Sequence, residues 1–486
     1  MTHAFQKVPQ NVVVTGLGQV IGTGLGFVAT ILTARYLGVS SFGRFNFFFG
    51  VAFLFWFIGE AGLMNILVRE LSRRLEDSEQ YNFCLGSFRG LVFCFCAGLS
   101  GVTGIFLLLG PVDGELKKII FLLGLSIVSM FQALTLASVV RAHEELEYYA
   151  LGFTLKHLFL LAAIYLVTYL DAGFVATILA YTSAYIFLWA YYHLLVRWRY
   201  GIPPMLFNLS NWKHFLREAF PLGIGQVLRR TANYVDIFVL RATSGNLDIG
   251  LFSTAYRFIL ALSGTAVVIG FPFLPVFSKL ALKQDAQLKV GLEKGLQFLI
   301  ITAIPLTMFL LIYGQKIITI FFGAKFTPAG QDLSLLGFSL LFIFPSTLFL
   351  HFFTALGKQR LWGLCTGCCL VINCLLDLIL TPKWGHWGAV WATLSAEVVL
   401  FGTAWYLLNR LPFRLSLVHL FARPLLAGII VGGLLFLTPG TSIAEIILRS
   451  GSALVFYALL LWTLRVFTVK DMVNLLRGYR PLEEKG

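Results

Sequence analysis

Fourteen apolar stretches of roughly 20 residues follow one another along this chain, each long enough to cross a hydrocarbon core about 30 Å thick as a helix. They lie near 11–34, 45–67, 82–109, 119–140, 149–170 and 173–195, then 219–240, 251–277, 291–313, 333–356, 361–380 and 387–408. A last pair lies near 420–437 and 444–466. Hydropathy breaks at Arg69 to Gln80, Arg197 to Arg217, Lys279 to Val290 and after Arg465. Composition agrees: 58% of residues are hydrophobic and 12% charged, whereas a soluble surface needs roughly 25% charged residues. The expected fold is an all-α integral membrane protein of about 14 transmembrane helices.

Basic residues set the expected orientation. Loops after even-numbered spans, with both termini, hold about 22 Lys or Arg against about 8 in the other loops. Positive loops stay in the cytoplasm, so both termini are expected inside, in the cytoplasmic (inner) membrane. Met1 to Gln10 lacks the basic region, short apolar core and cleavage site of a removed signal, so the first span should direct insertion itself. The net charge of +14 follows from this bias and from anionic inner-leaflet lipid. No soluble basic module exists to bind nucleic acid. The seven cysteines all fall inside predicted spans, where a thiol packs as a small hydrophobe, and no Cys or His set completes a metal site.

The seventh span departs from the others. Gln226, Arg229, Arg230, Asn233 and Asp236 recur at spacings of three, four and seven, which places them on one helical face. Ionisable groups at membrane depth cost from about 2.5 to more than 10 kcal/mol each, so they face a protein interior or a watery cavity. Arg257 and Arg89 lie within other spans. Lys156 and Lys294 lie one or two turns inside theirs, where snorkelling to the interface is the plainer expectation. Glu60, Asp236, Asp377 and Glu397 are acidic residues within or at the ends of spans. A carboxylate at such a depth can serve as a proton or sodium coupling site. Arg229 has an alternative as the ion-pair partner of Asp236, and Glu60 as the partner of Arg69. The histidines, His386 among them, read as interfacial or packed.

Sliding the chain on itself by 207 residues superposes Gly18, Gln19 and Val20 on Gly225, Gln226 and Val227. The same shift matches Val28 with Val235, Gly38 with Gly245, Gly43 with Gly250 and Phe45 with Phe252. A duplicated six-span unit follows, both copies entering the membrane in the same direction, as in transporters that bind substrate between two halves. The expected lobes are 1–205 and 206–410, related by a pseudo-two-fold repeat, with two further helices and a tail in 411–486. Arg229, Arg230 and Asp236 replace Gly22, Thr23 and Ala29 under this shift, so the second copy carries charge where the first is small and neutral. Gly16, Gly18, Gly22, Gly24 and Gly26 should let the first span approach a neighbour closely.

Several segments carry a family resemblance: RYLG at 35–38, FGRFN at 42–46, GEAGLMNILVRE at 59–70, GLFSTAYR at 250–257, FGAKFTPA at 322–329 and PKWGHWGAVWATLSAE at 382–397. In this order the chain resembles the Wzx-type polysaccharide flippases of the multidrug/oligosaccharidyl-lipid/polysaccharide exporter superfamily. The resemblance implies two six-span lobes around a central cavity, two added spans, and a cargo of polyprenyl-diphosphate-linked oligosaccharide moved to the outer leaflet. Partners expected with it are membrane lipids and the polysaccharide polymerase and export machinery. It carries over no catalytic residues, and no enzyme activity or cofactor is expected beyond proton or sodium coupling.

The residues therefore define the candidate site. Arg can hold phosphate oxygens in a bidentate fork, and aromatic faces can stack on sugar rings. Arg229, Arg230, Arg257 and Arg89, with Gln226 and Asn233, are the expected cargo ligands; Asp236, Glu60 and Glu397 are the expected coupling residues. A multidrug exporter would move cations and want an acidic cavity, and lipid II carries a diphosphate and sugars of its own. A glycan polymerase or glycosyltransferase would need a larger outer loop with clustered carboxylates.

Overall fold

The computed structural model describes residues 2–60, 62–109, 113–270, 272–280, 285–411, 415–438, 442–464 and 466. Among them are sixteen α-helices and no strands. In the first half these are α1 (Thr2–Glu60), α2 (Leu63–Ser72), α3 (Ser78–Leu109), α4 (Gly114–Ala142), α5 (Leu146–Tyr169), α6 (Gly173–Arg199) and α7 (Leu209–Thr243). The second half has α8 (Asn246–Gly270), α9 (Phe273–Leu280), α10 (Asp285–Phe322), α11 (Ala329–Leu336), α12 (Leu340–Ala355), α13 (Gln359–Trp384) and α14 (His386–Asn409). The pair α15 (Leu417–Leu437) and α16 (Ile443–Thr463) completes the described chain. Two compact units, Met1–Ile237 and Phe238–Gly486, divide the chain within α7.

Among the described residues twelve helical segments are long and apolar enough to cross a membrane, one of them the run Ala329–Ala355 through α11 and α12. Two features bring this into line with fourteen. The segment Gly18–Phe57 of α1 holds two predicted spans, separated at Gly38 (φ 73°), and α7 is excluded from the apolar set by its own polar stripe. The chain is a multi-pass membrane protein of the expected class.

One difference concerns the second span of each half. The predicted span 45–67 is broken: α1 stops at Glu60, Gly62 takes φ 81°, and α2 restarts at Leu63. Only glycine adopts that left-handed backbone without steric cost. The predicted span 251–277 is likewise two helices, α8 and α9, with Pro272, which has no N–H to donate, at the break. Under the 207-residue shift the two breaks fall within a few residues of each other, so the repeat extends to backbone irregularities.

In the first unit, α1 packs along α5 and α4 along α6. Gly18, Gly22 and Gly26 form the contact stripe: an added Cβ would lie 2.6 Å from Ala150 Cβ, 2.6 Å from the Phe153 ring and 2.7 Å from the His157 ring respectively. Thr154 Oγ1 donates to the Gly18 carbonyl at 3.1 Å, a bond that such close approach permits. Gly16 and Gly24, off this stripe, face open space. Below the stripe, Ala29, Leu160, Ile164, Ala180 and Ala184 form a compact core. Lys156 does not snorkel. It is 9% exposed midway along α5, its ammonium 5.1 Å from the Tyr185 ring centroid and 5.5 Å from that of Phe153. A cation held between rings keeps part of its solvation without reaching water.

In the second unit, α13 and α14 form a tight hairpin about Gly385, while α10 packs on α11, α12 and α15. The α15–α16 pair leans chiefly on α10, with Phe421 of α15 meeting the Phe401 ring of α14 at 6.1 Å, and most of α16 is exposed. Pro305 and Pro345 lie inside α10 and α12, which continue through them.

Candidate functional site

The break that ends α1 delivers a carboxylate to α7. Glu60, the last residue of α1, forms an ion pair with Arg230 of α7. The Arg230 guanidinium also lies over two rings of the last turn of α1, 5.3 Å from the Trp56 centroid and 5.2 Å from that of Phe57. Tyr234, one turn further along α7, meets Phe53 and Phe57 at 5.7 and 5.8 Å. The Glu60 side chain is 14% exposed and that of Arg230 37%. The site is therefore a guanidinium with one face on aromatic rings, one carboxylate partner and an open side. Such a group holds its orientation through stacking and can still offer N–H donors to an incoming anion.

This pairing settles one alternative and exposes a gap in the sequence reading. Glu60 pairs with Arg230 rather than Arg69, whose partners are Glu70 and Glu218. Trp56, Phe57 and Tyr234 carry the site's flat surfaces and went unnoticed, because aromatic residues at helical spacing in a chain of 47 Phe look like core. Asp236, on α7, is 1% exposed. The side chains of Gln226, Arg229 and Asn233 lie outside the described residues.

The remaining predicted ligands sit elsewhere. Arg89 on α3 donates to the Pro203 carbonyl, where the connection between α6 and α7 runs over α3. Leu206 N donates to Gly86 O at 3.0 Å in the same stretch, so Arg89 clasps this connection. Arg257 is half-buried on α8, in the second unit.

The second unit holds a separate polar ladder. Asp377 and Asn373 on α13, and Thr393 and Glu397 on α14, are 0%, 4%, 6% and 6% exposed. Asp377 and Thr393 stand equally far from Gly385 on the two sides of the hairpin, and so do Asn373 and Glu397. Antiparallel packing puts each pair at one level. At the other end, His386 Nδ1 lies 2.8 Å from an oxygen of the fully buried Asp332. His386, expected to be interfacial or packed, is thus paired with a buried carboxylate 54 residues away that carries no sequence signal.

A third cluster lies outside the spans, at the end of α2. Glu70, 4% exposed, is ringed by Arg69, Arg73 and Arg74. Burial pushes its carboxyl up, but hydrogen bonds from Arg74 and Arg69 outweigh that and hold it below the usual carboxylate range. Its contribution is complete above the ordinary carboxylate pKa and disappears as pH falls through the depressed one. Arg69 extends the cluster to Glu218, tying α2 to the start of α7.

The fold is thus a multi-span helical bundle whose seventh predicted span carries the partly exposed Arg230 and the buried Asp236. Two family models match the sequence: polysaccharide biosynthesis protein, over residues 8–281, and lipid II flippase MurJ, over residues 158–447. Each takes in more than half of the chain, which belongs to these families, one described by polysaccharide biosynthesis and the other by lipid II flipping. A protein described as an O-antigen transporter in Shigella dysenteriae is 22% identical over 201 residues, 40% of this chain and 48% of its own length. A protein described as a lipid II flippase in Synechocystis is 29% identical over 153 residues, 30% of this chain and 29% of its own. The matches span less than half the length of either relative. Among solved structures, the lipid II flippase MurJ in an inward closed conformation aligns with a TM-score of 0.79 at 17% identity, over 95% of this chain and 100% of that one. An inward-facing multidrug transporter of the superfamily aligns with a TM-score of 0.65 at 15% identity, over 79% and 94%. These likenesses bear on the fold.

Proposed function

We propose that this flippase moves a polyprenyl-diphosphate-linked oligosaccharide from the inner to the outer leaflet of the cytoplasmic membrane by alternating access, for surface polysaccharide assembly. Its lobes are 1–205 and 206–410, with 411–486 appended and both termini cytoplasmic. The observation that carries this reading is Arg230, stacked on Trp56 and Phe57 and shared with Glu60. A diphosphate can take over the guanidinium from Glu60, and the rings beside it suit a sugar. Gln226, Arg229 and Asn233 follow at helical spacing in the sequence of α7. Arg89, engaged with Pro203, is the weakest member of the set.

A second reading, lipid II as cargo, is favoured by the lipid II flippase match over 158–447. Complementation separates the two. Expression in a strain lacking its O-antigen flippase should restore surface glycan, whereas rescue only of a strain lacking its lipid II flippase would move the chain to the second reading.

Coupling falls to Asp236, with Glu60 and Glu397 as lesser contributors. A carboxylate near the arginines can release them as it gains a proton or sodium ion and take them back as it loses it. Asp236→Asn should slow turnover more than it weakens cargo binding and should flatten the response to an imposed pH step in proteoliposomes. An unchanged response would transfer the role to another carboxylate.

A further inference from the structure

The first three turns of α7 lie before the predicted span 219–240 and have two unlike faces. The inner face is fixed to α3: Trp212 Nε1 donates to Ser87 O at 2.8 Å, Asn211 Nδ2 to Ser87 Oγ at 3.3 Å, and Phe215, 3% exposed, meets the Phe88 ring at 5.4 Å. The outer face carries Leu209, Lys213, Leu216 and Phe220, spaced four, three and four apart and therefore one stripe. Leu209 is 77% exposed, Leu216 48% and Phe220 65%, and Lys213 and Arg217 are exposed beside them. The only carboxylate on these turns, Glu218, is engaged by Arg69. A stripe of three exposed apolar residues interrupted by Lys213 and bordered by Arg217, neither with a carboxylate partner among the described residues, on a helix anchored from behind, is what an interfacial helix presents to a charged membrane.

We infer that the outer face of residues 209–220 is a docking surface for anionic phospholipid headgroups of the leaflet it faces: Leu209, Leu216 and Phe220 enter the acyl boundary, and Lys213 and Arg217 hold lipid phosphates. With basic loops inside, that leaflet is the cytoplasmic one. Trp198, 83% exposed at the end of α6, sits at the same boundary, where indole rings concentrate. The helix so pinned is the one that bears Arg230 and Asp236, so lipid charge is set to act on the transport helix.

Hydrogen exchange on the full-length protein tests this, in nanodiscs of phosphatidylcholine with increasing phosphatidylglycerol. Exchange over 209–220 should slow as phosphatidylglycerol is added. The amount needed for half the effect should rise about fivefold for each charge removed, in Lys213→Gln, Arg217→Gln and the double variant. Exchange elsewhere in the chain reports whether a variant is folded. Insensitivity to phosphatidylglycerol, or a double variant that responds like the wild type, overturns the inference. Protection that is full in phosphatidylcholine alone also overturns it, since the face would then need no anion. The readout uses no cargo, so its failure leaves the proposed transport reaction standing.

Discussion

Replacing Arg230 with Ala should reduce glycan export by about two orders of magnitude, because truncating one member of a charge pair at a binding surface costs roughly 2–5 kcal/mol. The variant has a second effect, since it leaves Glu60 at 14% exposure without its cation. The two effects separate in the double variant Arg230→Ala with Glu60→Gln, where no stranded carboxylate remains. That protein should accumulate normally and still fail to export, whereas Glu60→Gln alone should retain most export. Arg230→Lys should recover part of the activity, since an ammonium keeps the charge but loses the planar fork and much of the stacking on Trp56 and Phe57. Export by the double variant at the wild-type level would remove Arg230 from the cargo site.

Gly388→Val should abolish accumulation of folded protein. Gly388 is the third residue of α14, and an added Cβ would lie 2.5 Å from the carbonyl carbon of Leu380 and 2.6 Å from the nitrogen of Thr381. These are backbone atoms of α13, so no side chain can turn aside, and the hairpin itself must open. Overpacking against movable side chains costs roughly 1–3 kcal/mol, and a rigid obstacle costs more. The hairpin also carries Asp377, Asn373, Thr393 and Glu397, whose burial depends on its closure. Gly402→Val on the same helix and Gly367→Val on α13 are the controls, since each site has open space. Detergent-extracted yield and thermal stability check the contrast. Equal losses at all three positions would mean that valine in these helices, not the contact, is harmful.

Hydropathy made the span count legible because bilayer thickness fixes helix length, and α7 stood out because its charges recur at helical spacing. The breaks at Gly62 and Pro272 were harder to see. Apolar residues continue on both sides of each, so hydropathy registers no interruption where the backbone turns. Charge spacing likewise located Arg230 but could not choose its partner. Glu60 is 170 residues distant, and Arg69 is nearer to it in sequence; only the break at Gly62, after the end of α1, decides between them. Lys156 failed for a related reason. Its distance from a helix end is compatible with snorkelling, and burial against rings of α5 and α6 is a property of packing that one helix does not encode. The α13–α14 ladder could have been found from the equal spacing of Asp377 and Thr393, and of Asn373 and Glu397, about Gly385.

The proposed flippase would recognise an anionic lipid-linked saccharide through the Arg230 guanidinium on α7. Transport of a fluorescent polyprenyl-diphosphate saccharide across proteoliposomes, with the same saccharide on an uncharged polyprenyl carrier as the comparison, tests this recognition most directly. The wild type should translocate the diphosphate form and leave the neutral form at the protein-free rate, and the Arg230→Ala, Glu60→Gln double variant should translocate neither. Equal translocation of both forms by the wild type, or full activity of the double variant on the diphosphate, would contradict it.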